Sequence, residues 1–285
     1  MTNAEFYLED LKNKFRKIKL NEYYLSYSGG KDSHLLYWFI KEYAPEFKNI
    51  LVVGVNTYME YPEIRDRIYK NCDKVLIPAL KPFEIKAKYG IPCFSKSQDF
   101  FIELIQNGST APSILKRFLG KEKSWHNVSK KARNYVLSGK AHKISNKCCK
   151  YLKKEPLKKF EKENTKKAIL GIKGTESKLR KTQYKSCFTK DKKFVPLFDL
   201  TDDLEKQIYK QFNIEIPKIY NYISRTGCMG CPYGNYKKEI EKELDLLDKA
   251  QREFVCDYFR ESYHILGIDT NIQLSFDMIK ENKNE

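Results

Sequence analysis

The chain has 285 residues, of which 41% are hydrophobic and 14% aromatic, so it is long enough to bury a core and has a globular composition. The first five residues contain no basic segment, and no apolar run reaches the roughly 18 residues of a membrane span. The sequence therefore predicts a cytoplasmic protein without a secretion signal or membrane segment. In that compartment the eight cysteines are expected to be metal ligands, reactive thiols or core residues rather than disulfides.

The net charge of +17 comes from one part of the chain. Residues 114–193 contain 26 basic and 6 acidic side chains, whereas the rest of the chain sums to −3. A localised basic segment that contains aromatic residues favours contact with a polyanion such as tRNA or DNA. A highly charged nucleotide substrate or a solvated basic surface are the alternatives.

Apolar runs and helical spacings alternate along the chain, which predicts an α/β fold with a doubly wound, mostly parallel sheet and a C-terminal helical region. In such folds the ligand lies at the carboxyl ends of the strands. We predict a nucleotide-binding domain over residues 1–200, with a basic insertion at about 114–165, and a helical region over 201–285. The predicted helices cover residues 5–19, 62–71, 99–106, 202–212 and 237–263, the first βα unit covers 23–43, and further strands cover 50–55, 74–77 and 168–172.

A glycine-containing hexapeptide, residues 28–33, joins the first strand to the first helix of that sheet. Its glycines allow backbone N–H groups to approach an anion, and the helix N-terminus adds partial positive charge. A lysine supplies a full charge and two serines supply hydroxyl donors. The Walker A pattern is absent, so this is a different kind of phosphate loop; an ordinary Gly-Gly turn is the alternative. The six candidate nucleotide-binding residues are Ser28, Gly29, Gly30, Lys31, Asp32 and Ser33.

Four cysteines form a doublet and a distant C-x-x-C turn. Four thiolates suit tetrahedral zinc or a [4Fe–4S] cluster. Adjacent cysteines bind one metal ion poorly but can reach two irons of a cubane, so the doublet favours iron–sulfur over zinc. Buried structural thiols are the other alternative. The four residues are Cys148, Cys149, Cys228 and Cys231.

Several motifs in a fixed order resemble the phosphoadenosine phosphosulfate (PAPS) reductase-like family of the PP-loop ATP pyrophosphatase superfamily, over about residues 20–235. The cysteine pattern is similar to that of its iron–sulfur branch, which includes the assimilatory adenylyl-sulfate reductases. The motifs are residues 28–33, Asn56-Thr57 with Glu60, Pro62 and Glu63, Lys147-Cys148-Cys149 before Pro156-Leu157, residues 171–180, residues 196–202 and residues 227–232.

The resemblance implies an adenine nucleotide α-hydrolase-like fold that binds ATP and Mg²⁺, with Lys31 and Asp32 as catalytic residues. It implies that Glu176 and Arg180 face the nucleotide. It also implies that the four cysteines of the doublet and the C-x-x-C turn ligate a [4Fe–4S] cluster near that nucleotide.

Three departures bear on the reaction. True reductases of this family have a degenerate phosphate loop, whereas this loop is complete. They also use a C-terminal catalytic cysteine, whereas the only cysteine after the C-x-x-C turn is Cys256, in an apparently helical segment. Lys173 stands where the family usually has arginine, which removes bidentate phosphate binding there. The departures favour an ATP-using relative, similar to the DNA phosphorothioation ATPases, iron–sulfur tRNA thiolases and phage-type "PAPS reductase" proteins.

The function predicted from the sequence is an adenylating enzyme that releases pyrophosphate from ATP and inserts sulfur into a nucleic acid or nucleotide. Cys187, which lies among Lys181, Lys185 and Lys190, is a candidate thiolate for carrying the sulfur as a persulfide; a structural thiol is the alternative. A cysteine desulfurase is a candidate sulfur donor. An oligomer is a candidate assembly state. The rival functions are a PAPS or adenylyl-sulfate reductase and a non-catalytic nucleic-acid-binding module of a DNA-modification or defence system.

Overall fold

The computed structural model describes residues 1–121, 127–176, 186–234 and 237–270. The chain divides into two compact units. Unit 1 comprises Met1–Ala79 and Lys153–Ser224, and unit 2 comprises Leu80–Leu152 and Arg225–Glu285. Both units are therefore discontinuous in sequence. The domain limits expected from the sequence, at residue 200 and about 114–165, stay a prediction.

Unit 1 contains a parallel four-stranded sheet with the order β3-β2-β1-β4. The strands are β1 (Tyr23–Ser26), β2 (Leu51–Val55), β3 (Lys74–Leu76) and β4 (Lys167–Leu170). β1 pairs with β2 on one side and with β4 on the other, so the chain changes direction across the sheet at β1. Loops that follow β1 and β4 lie at this switch point, where open α/β sheets bind ligands. The predicted α/β fold class is confirmed.

The helices connect and cover these strands or form unit 2. Unit 1 contains the first three, the ninth and the tenth, and the others belong to unit 2. In chain order they are α1 (Asn3–Arg16), α2 (Lys31–Trp38), α3 (Pro62–Asn71), α4 (Pro82–Tyr89), α5 (Lys96–Gln106), α6 (Pro112–Leu119), α7 (Lys130–Leu137), α8 (Lys147–Cys149), α9 (Glu155–Asn164), α10 (Asp202–Gln211), α11 (Lys237–Asp245), α12 (Lys249–Tyr258) and α13 (Arg260–Leu266).

Local sequence explains where the principal helices begin. Thr2 and Glu5 form a capping box that starts α1. A helix expected without interruption over residues 237–263 is divided into α11, α12 and α13. The division arises because Asp248 caps a new helix, accepting a hydrogen bond from the Gln251 N–H at 2.8 Å. The i,i+4 charge pattern alone did not reveal this cap.

Each unit has its own hydrophobic core. In unit 1, Phe15 of α1 is fully buried and its ring centroid lies 5.2 Å from those of Phe39, Phe47 and Phe194. In unit 2 a buried cluster forms between α5, α6 and α7; its members are Cys93, Ile102, Phe118, Val128, Ala132 and Ile144. Among the described residues, no helix combines the length and apolar character needed to cross a membrane.

Candidate active site

The loop between β1 and α2 has a backbone shape that requires glycine. Gly29 has φ +76°, and a Cβ placed on it would lie 2.7 Å from the Ile64 carbonyl oxygen of α3. Gly30 is the N-cap of α2 and has no side chain to occupy the helix N-terminus. The N-terminus of α2 therefore faces the loop as a site for an anion.

Two serines hold the loop in this shape. Ser33, at the start of α2, accepts a 3.2 Å hydrogen bond from the Ser28 N–H, and its hydroxyl donates to the Gly30 carbonyl at 3.0 Å. The two serine hydroxyls lie 3.0 Å apart. Ser33 is buried whereas Ser28 is exposed, so Ser33 shapes the loop and Ser28 can meet a ligand.

Each polar group of Lys31 forms a hydrogen bond with a residue that lies later in the sequence of unit 1. Its Nζ lies 2.7 Å from Glu205 Oε2, its N–H donates to the Tyr220 hydroxyl at 3.0 Å, and its carbonyl accepts from the Tyr209 hydroxyl at 2.7 Å. The Tyr220 segment is fixed in turn by Glu63, which accepts from two backbone N–H groups, those of residues 218 and 219. The phosphate loop is therefore ordered by α10 and the turn that follows it.

A buried lysine lies at the centre of the site. Lys173, which follows β4, is 1% exposed, and its Nζ lies 2.5 Å from Glu205 Oε2, 2.7 Å from Asp202 Oδ1 and 3.2 Å from Asp32 Oδ1. Gly171 brings this segment against the loop, because a Cβ there would lie 2.8 Å from the Asp32 backbone. The segment thus places a fixed ammonium beside the predicted catalytic Asp32.

The carboxylates around Lys173 are unequally satisfied. Burial disfavours the charge of Lys173, but Asp32, Asp202 and Glu205 outweigh it and raise the lysine pKa. Burial and the neighbouring Asp32 raise the pKa of Glu205, against the effect of the two lysines. Glu205 Oε1 is buried without a hydrogen-bond partner, whereas Asp32 Oδ1 has only its ion pair with Lys173. Such oxygens are the ligands that Mg²⁺ or its bound waters prefer, so these residues fit that ion.

The structure brings most of the predicted phosphate-loop residues together with residues that the motifs did not single out. Glu205, Tyr209 and Tyr220 were missed, although Glu205 lies one helical turn beyond the motif that ends at Asp202. Arg180 lies outside the described residues. Glu176 ends a short 3-10 turn over Gly174–Glu176, and only its backbone is described. The roles predicted for both stay predictions.

The four predicted cluster cysteines all belong to unit 2. A hydrogen bond with Cys149, burial, and the nearby Cys231 and Cys228 raise the pKa of the Cys148 thiol well above its usual value. Burial raises the pKa of Tyr258, and all four cysteines add to that effect. The doublet and the C-x-x-C turn therefore share one electrostatic neighbourhood, and the set of donors suits a thiolate-ligated cluster.

Hydrogen bonds fix the C-x-x-C turn. The Cys231 N–H donates to the Cys228 carbonyl at 3.2 Å, which closes the turn. Gly230 has φ +58°, and its carbonyl accepts a 2.5 Å hydrogen bond from the Tyr263 hydroxyl. Tyr233, two residues after the turn, donates to Asp99 at 2.6 Å. The cysteine turn is thus held by buried side chains of α5 and α13.

Asp99 is fully buried, and burial raises its pKa to about 6 in spite of the hydrogen bonds that it accepts.

Cys187 in unit 1 is half-buried, and burial raises the pKa of its thiol even though Lys14 and Lys17 lie near. Little thiolate is therefore expected at Cys187 at neutral pH. Its catalytic role stays a prediction.

No metal site is preassembled in the part of the chain that the structure describes, since no three His, Cys, Asp or Glu side chains there are arranged to hold an ion. The shared neighbourhood of the four thiols shows that they are close, whereas ligand geometry would require their side chains to turn toward a common centre. The iron–sulfur cluster stays a prediction.

No protein-family model matches the chain, and no curated protein is similar to it in sequence. Among solved structures, the phosphate complex of PAPS reductase from Candida auris is similar, with a TM-score of 0.43 and 12% identity over 80% of this chain and 97% of that chain. The NH3-dependent NAD synthetase from Campylobacter jejuni has a TM-score of 0.37 and 15% identity over 95% of this chain and 97% of that chain. Both likenesses are too distant to assign a reaction.

Proposed function

We propose that this protein is a PP-loop ATP pyrophosphatase that adenylates an oxygen of its substrate and then exchanges that oxygen for sulfur, with a nucleic acid as the substrate class. The observation that carries the proposal is the loop after β1, in which Gly29, the serines and the N-terminus of α2 form an anion site beside the buried Lys173 and Asp32. An enzyme that binds polyphosphate needs this combination of backbone donors and fixed charge.

The residues of the loop would act on the phosphates of ATP. The N-terminus of α2 and Ser28 would bind phosphate oxygens, and Lys31 would leave Glu205 to neutralise the departing pyrophosphate. The substrate oxygen forms a bond to the α-phosphorus as the bond to the β-phosphate oxygen breaks. The carboxylates of Asp32 and Glu205, which lie together beside Lys173, would hold Mg²⁺. When bound, that ion neutralises charge on the leaving pyrophosphate.

The second half of the reaction requires a sulfur nucleophile. Sulfur at the sulfide level would form a bond to the adenylated carbon or phosphorus, and AMP would leave with the oxygen. The four predicted cluster cysteines, which all belong to unit 2, would hold a [4Fe–4S] cluster, whose chemistry when bound is to carry or deliver sulfur. Gly230, Tyr263 and Tyr233 position the cysteine turn for that purpose.

The nucleotide reaction is tested by product analysis with Mg²⁺ and ATP labelled at the α- and γ-phosphates. We expect AMP and pyrophosphate, and a loss of at least about a hundredfold in rate in Asp32→Asn, because the Mg²⁺ that neutralises the leaving pyrophosphate loses a carboxylate ligand. Asp203→Asn is the matched control, since Asp203 is an exposed neighbour on α10. ADP and orthophosphate as products would show a different class of ATPase.

The cluster is tested by anaerobic purification followed by iron, sulfide and zinc analysis. About four irons and four sulfides per chain are expected, as in other Cys₄-ligated cubanes. Cys228→Ser should lose the iron, whereas Cys256→Ser, which changes a half-buried thiol on α12, should keep it. Stoichiometric zinc without sulfide would contradict the cluster.

The nucleic-acid substrate class is tested by the salt dependence of tRNA and DNA binding. If the basic segment follows a phosphate backbone, log K should fall with log[salt] by about 0.9 per contacted phosphate on a duplex and about 0.7 on a single strand. Lys130→Glu with Lys131→Glu, on the exposed face of α7, should weaken binding across sequences. The control pair is Lys242→Glu with Lys249→Glu. If the two pairs weakened nucleic-acid binding equally, the basic segment would not form the interface.

A further inference from the structure

Tyr258, the last residue of α12, has a buried hydroxyl to which the reaction proposed above gives no role. The residue is 1% exposed. Among the residues that the structure describes, its hydroxyl has no hydrogen-bond partner. A buried tyrosine hydroxyl normally has a partner, because a buried donor without one is unfavourable. The missing acceptor is therefore a group that the chain gains in another state.

The ring of Tyr258 is fixed by its neighbours. Phe83 of α4 packs edge-on against it with ring centroids 5.4 Å apart, and Phe259 does so at 4.7 Å. Lys86 Nζ lies 5.9 Å from the centroid of the ring and donates to the Tyr258 carbonyl at 2.9 Å. Because both the ring and the backbone are held, the direction of the C–O bond is set by packing and does not depend on a partner for the hydroxyl.

Both pairs of predicted cluster cysteines lie near Tyr258. Gly230, inside the C-x-x-C turn, approaches α12 so closely that a Cβ there would lie 2.5 Å from Val255 Cγ1. Val255 and Tyr258 are three residues apart on one face of that helix. Helix α4, whose Phe83 packs on the ring, also contacts α8, which carries the cysteine doublet. After burial, the four cysteines are the causes that raise the pKa of Tyr258, so its oxygen lies within reach of both pairs.

Metal binding would give this hydroxyl an acceptor. A protonated thiol is only a weak hydrogen-bond acceptor. A metal-bound cysteine has lost its proton, and a negatively charged acceptor forms a shorter and stronger hydrogen bond. The acceptor is then a side chain that already lies inside unit 2, so nothing has to reach the hydroxyl from solvent.

We propose that the Tyr258 hydroxyl donates a hydrogen bond to a ligating cysteine sulfur of a metal centre in unit 2. The inference rests on the proposed function in taking the four cysteines as ligands. Tyr258 is a positioning residue, because it acts through the ligands and not on the substrate. Hydrogen bonds to sulfur are one of the factors that set the reduction potential of a cluster. This bond is stronger when the cluster carries more negative charge, so it favours the reduced form.

The test compares the anaerobically purified full chain with Tyr258→Phe, which removes the hydroxyl and keeps the ring. Iron and sulfide analysis comes first, and both proteins should contain about four of each. The midpoint potential of the cluster is then measured by a redox titration followed by absorbance. We expect the variant to shift the equilibrium roughly tenfold toward the oxidised form, which for one electron is a midpoint roughly 59 mV more negative.

Tyr135→Phe is the matched control. It removes a hydroxyl from the same unit, but one that already has its own partner, His142 Nδ1 at 3.1 Å. The control should leave the midpoint potential unchanged. An unchanged potential in Tyr258→Phe at full iron content, or an equal shift in Tyr135→Phe, would overturn the inference and leave the proposed cluster standing.

A zinc measurement keeps the inference testable if the cluster itself is wrong. If the chain holds zinc without sulfide, chelator competition should show that Tyr258→Phe binds zinc roughly tenfold more weakly, as the loss of one hydrogen bond to a charged group implies. That result would contradict the cluster and support the inference. Unchanged zinc affinity, or a chain that binds neither metal, would overturn the inference. None of these measurements uses ATP, so the production of AMP and pyrophosphate is judged separately.

Discussion

The candidate sites of the two units differ in the charge of their buried side chains. In unit 1 the loop site contains two lysines among three carboxylates, and the buried ammonium of Lys173 is bonded to Glu205 and Asp202. In unit 2 a hydrogen bond with Cys149, burial and the neighbouring cysteines raise the pKa of the Cys148 thiol. Its nearest lysine in sequence, Lys147, is already paired with Glu103.

This difference shows what each site needs from outside the chain. The unit 1 site is already held in shape by ion pairs, and under the proposed function it exchanges one of them for a phosphate. The thiols of unit 2 would lose their protons only to a strong cation such as an iron cluster or zinc. Variants that remove a charge from unit 1 should therefore damage folding directly, whereas cysteine variants should mainly damage metal content.

The largest effect is expected when Lys173 is replaced by methionine. The buried carboxylate of Glu205 would then lose a bonded cation, and half-buried Asp32 and exposed Asp202 would lose the same neighbour. Removing one partner of a buried ion pair typically destabilises a protein by about 3–5 kcal/mol. Thermal denaturation should show a large fall in Tm. Lys206→Met, on the exposed face of α10, is the control and should have little effect. Similar Tm values for the two variants would mean that the carboxylates around Lys173 tolerate its loss.

A smaller effect is expected at Gly29. Alanine there combines a positive φ with a Cβ only 2.7 Å from the Ile64 carbonyl oxygen, and should cost about 3 kcal/mol. Gly108→Ala isolates the first contribution, because Gly108 has φ +82° with nothing within 4 Å of an added Cβ, and should cost about 1 kcal/mol. Urea denaturation measures both. Equal losses would show that the close approach of α3 to the loop is relaxed in solution.

One histidine in each unit allows a comparison by pH. Burial lowers the pKa of His34 in unit 1 and of His142 in unit 2 to about 4. When a histidine stays neutral in the folded state but is protonated in the unfolded state, the folded protein loses stability as pH falls from about 6.5 to about 4. Between pH 7 and pH 5 each should lower the unfolding free energy by about 2 kcal/mol.

Urea midpoints at pH 7 and pH 5 for His34→Gln and His142→Gln test this directly. Each variant should lose part of the pH dependence, while His264→Gln, an exposed change on α13, should keep it. If the units unfold in separate transitions, each variant should alter a different one. A pH dependence unchanged in both variants would assign acid sensitivity to the carboxylates instead.

The smallest effect is expected at Tyr220. Its hydroxyl accepts from the Lys31 N–H, which a phosphate oxygen would otherwise take. Tyr220→Phe should cost about 1 kcal/mol of stability and tighten ATP binding a few-fold, because no internal acceptor competes with the nucleotide. Calorimetry of ATP binding to this variant and to Tyr222→Phe, an exposed control, measures the difference. Weaker binding would mean that Tyr220 instead helps to hold the nucleotide.

The position of the loop between β1 and α2 was predicted well because its signals are local. A strand, two glycines and a helix with Asp32 and Ser33 in its first turn are contiguous, and β1, α2, β2 and α3 lie where expected. The partners of that loop could not be predicted, since Glu205 and Tyr220 reach it across more than 170 residues of sequence. The sequence around a glutamate or a tyrosine does not indicate such a long-range contact.

The same distinction applies to the cysteines. Their spacing predicted a shared site, and that site stays a prediction. The side chains that hold the turn, Tyr263 and Tyr233, come from ordinary helical and turn sequences.

The pairing of β1 with β4 has a consequence during synthesis. Ser26 is hydrogen-bonded in register beside Leu170, and the whole first segment of unit 2 separates these strands in sequence. At ribosomal rates of about 5–20 residues per second, β1 waits roughly 10–30 seconds for its second neighbour. During that time one edge of an apolar strand is open to other nascent chains. Expression of this protein should therefore benefit from chaperones that bind exposed strands until translation has passed Leu170.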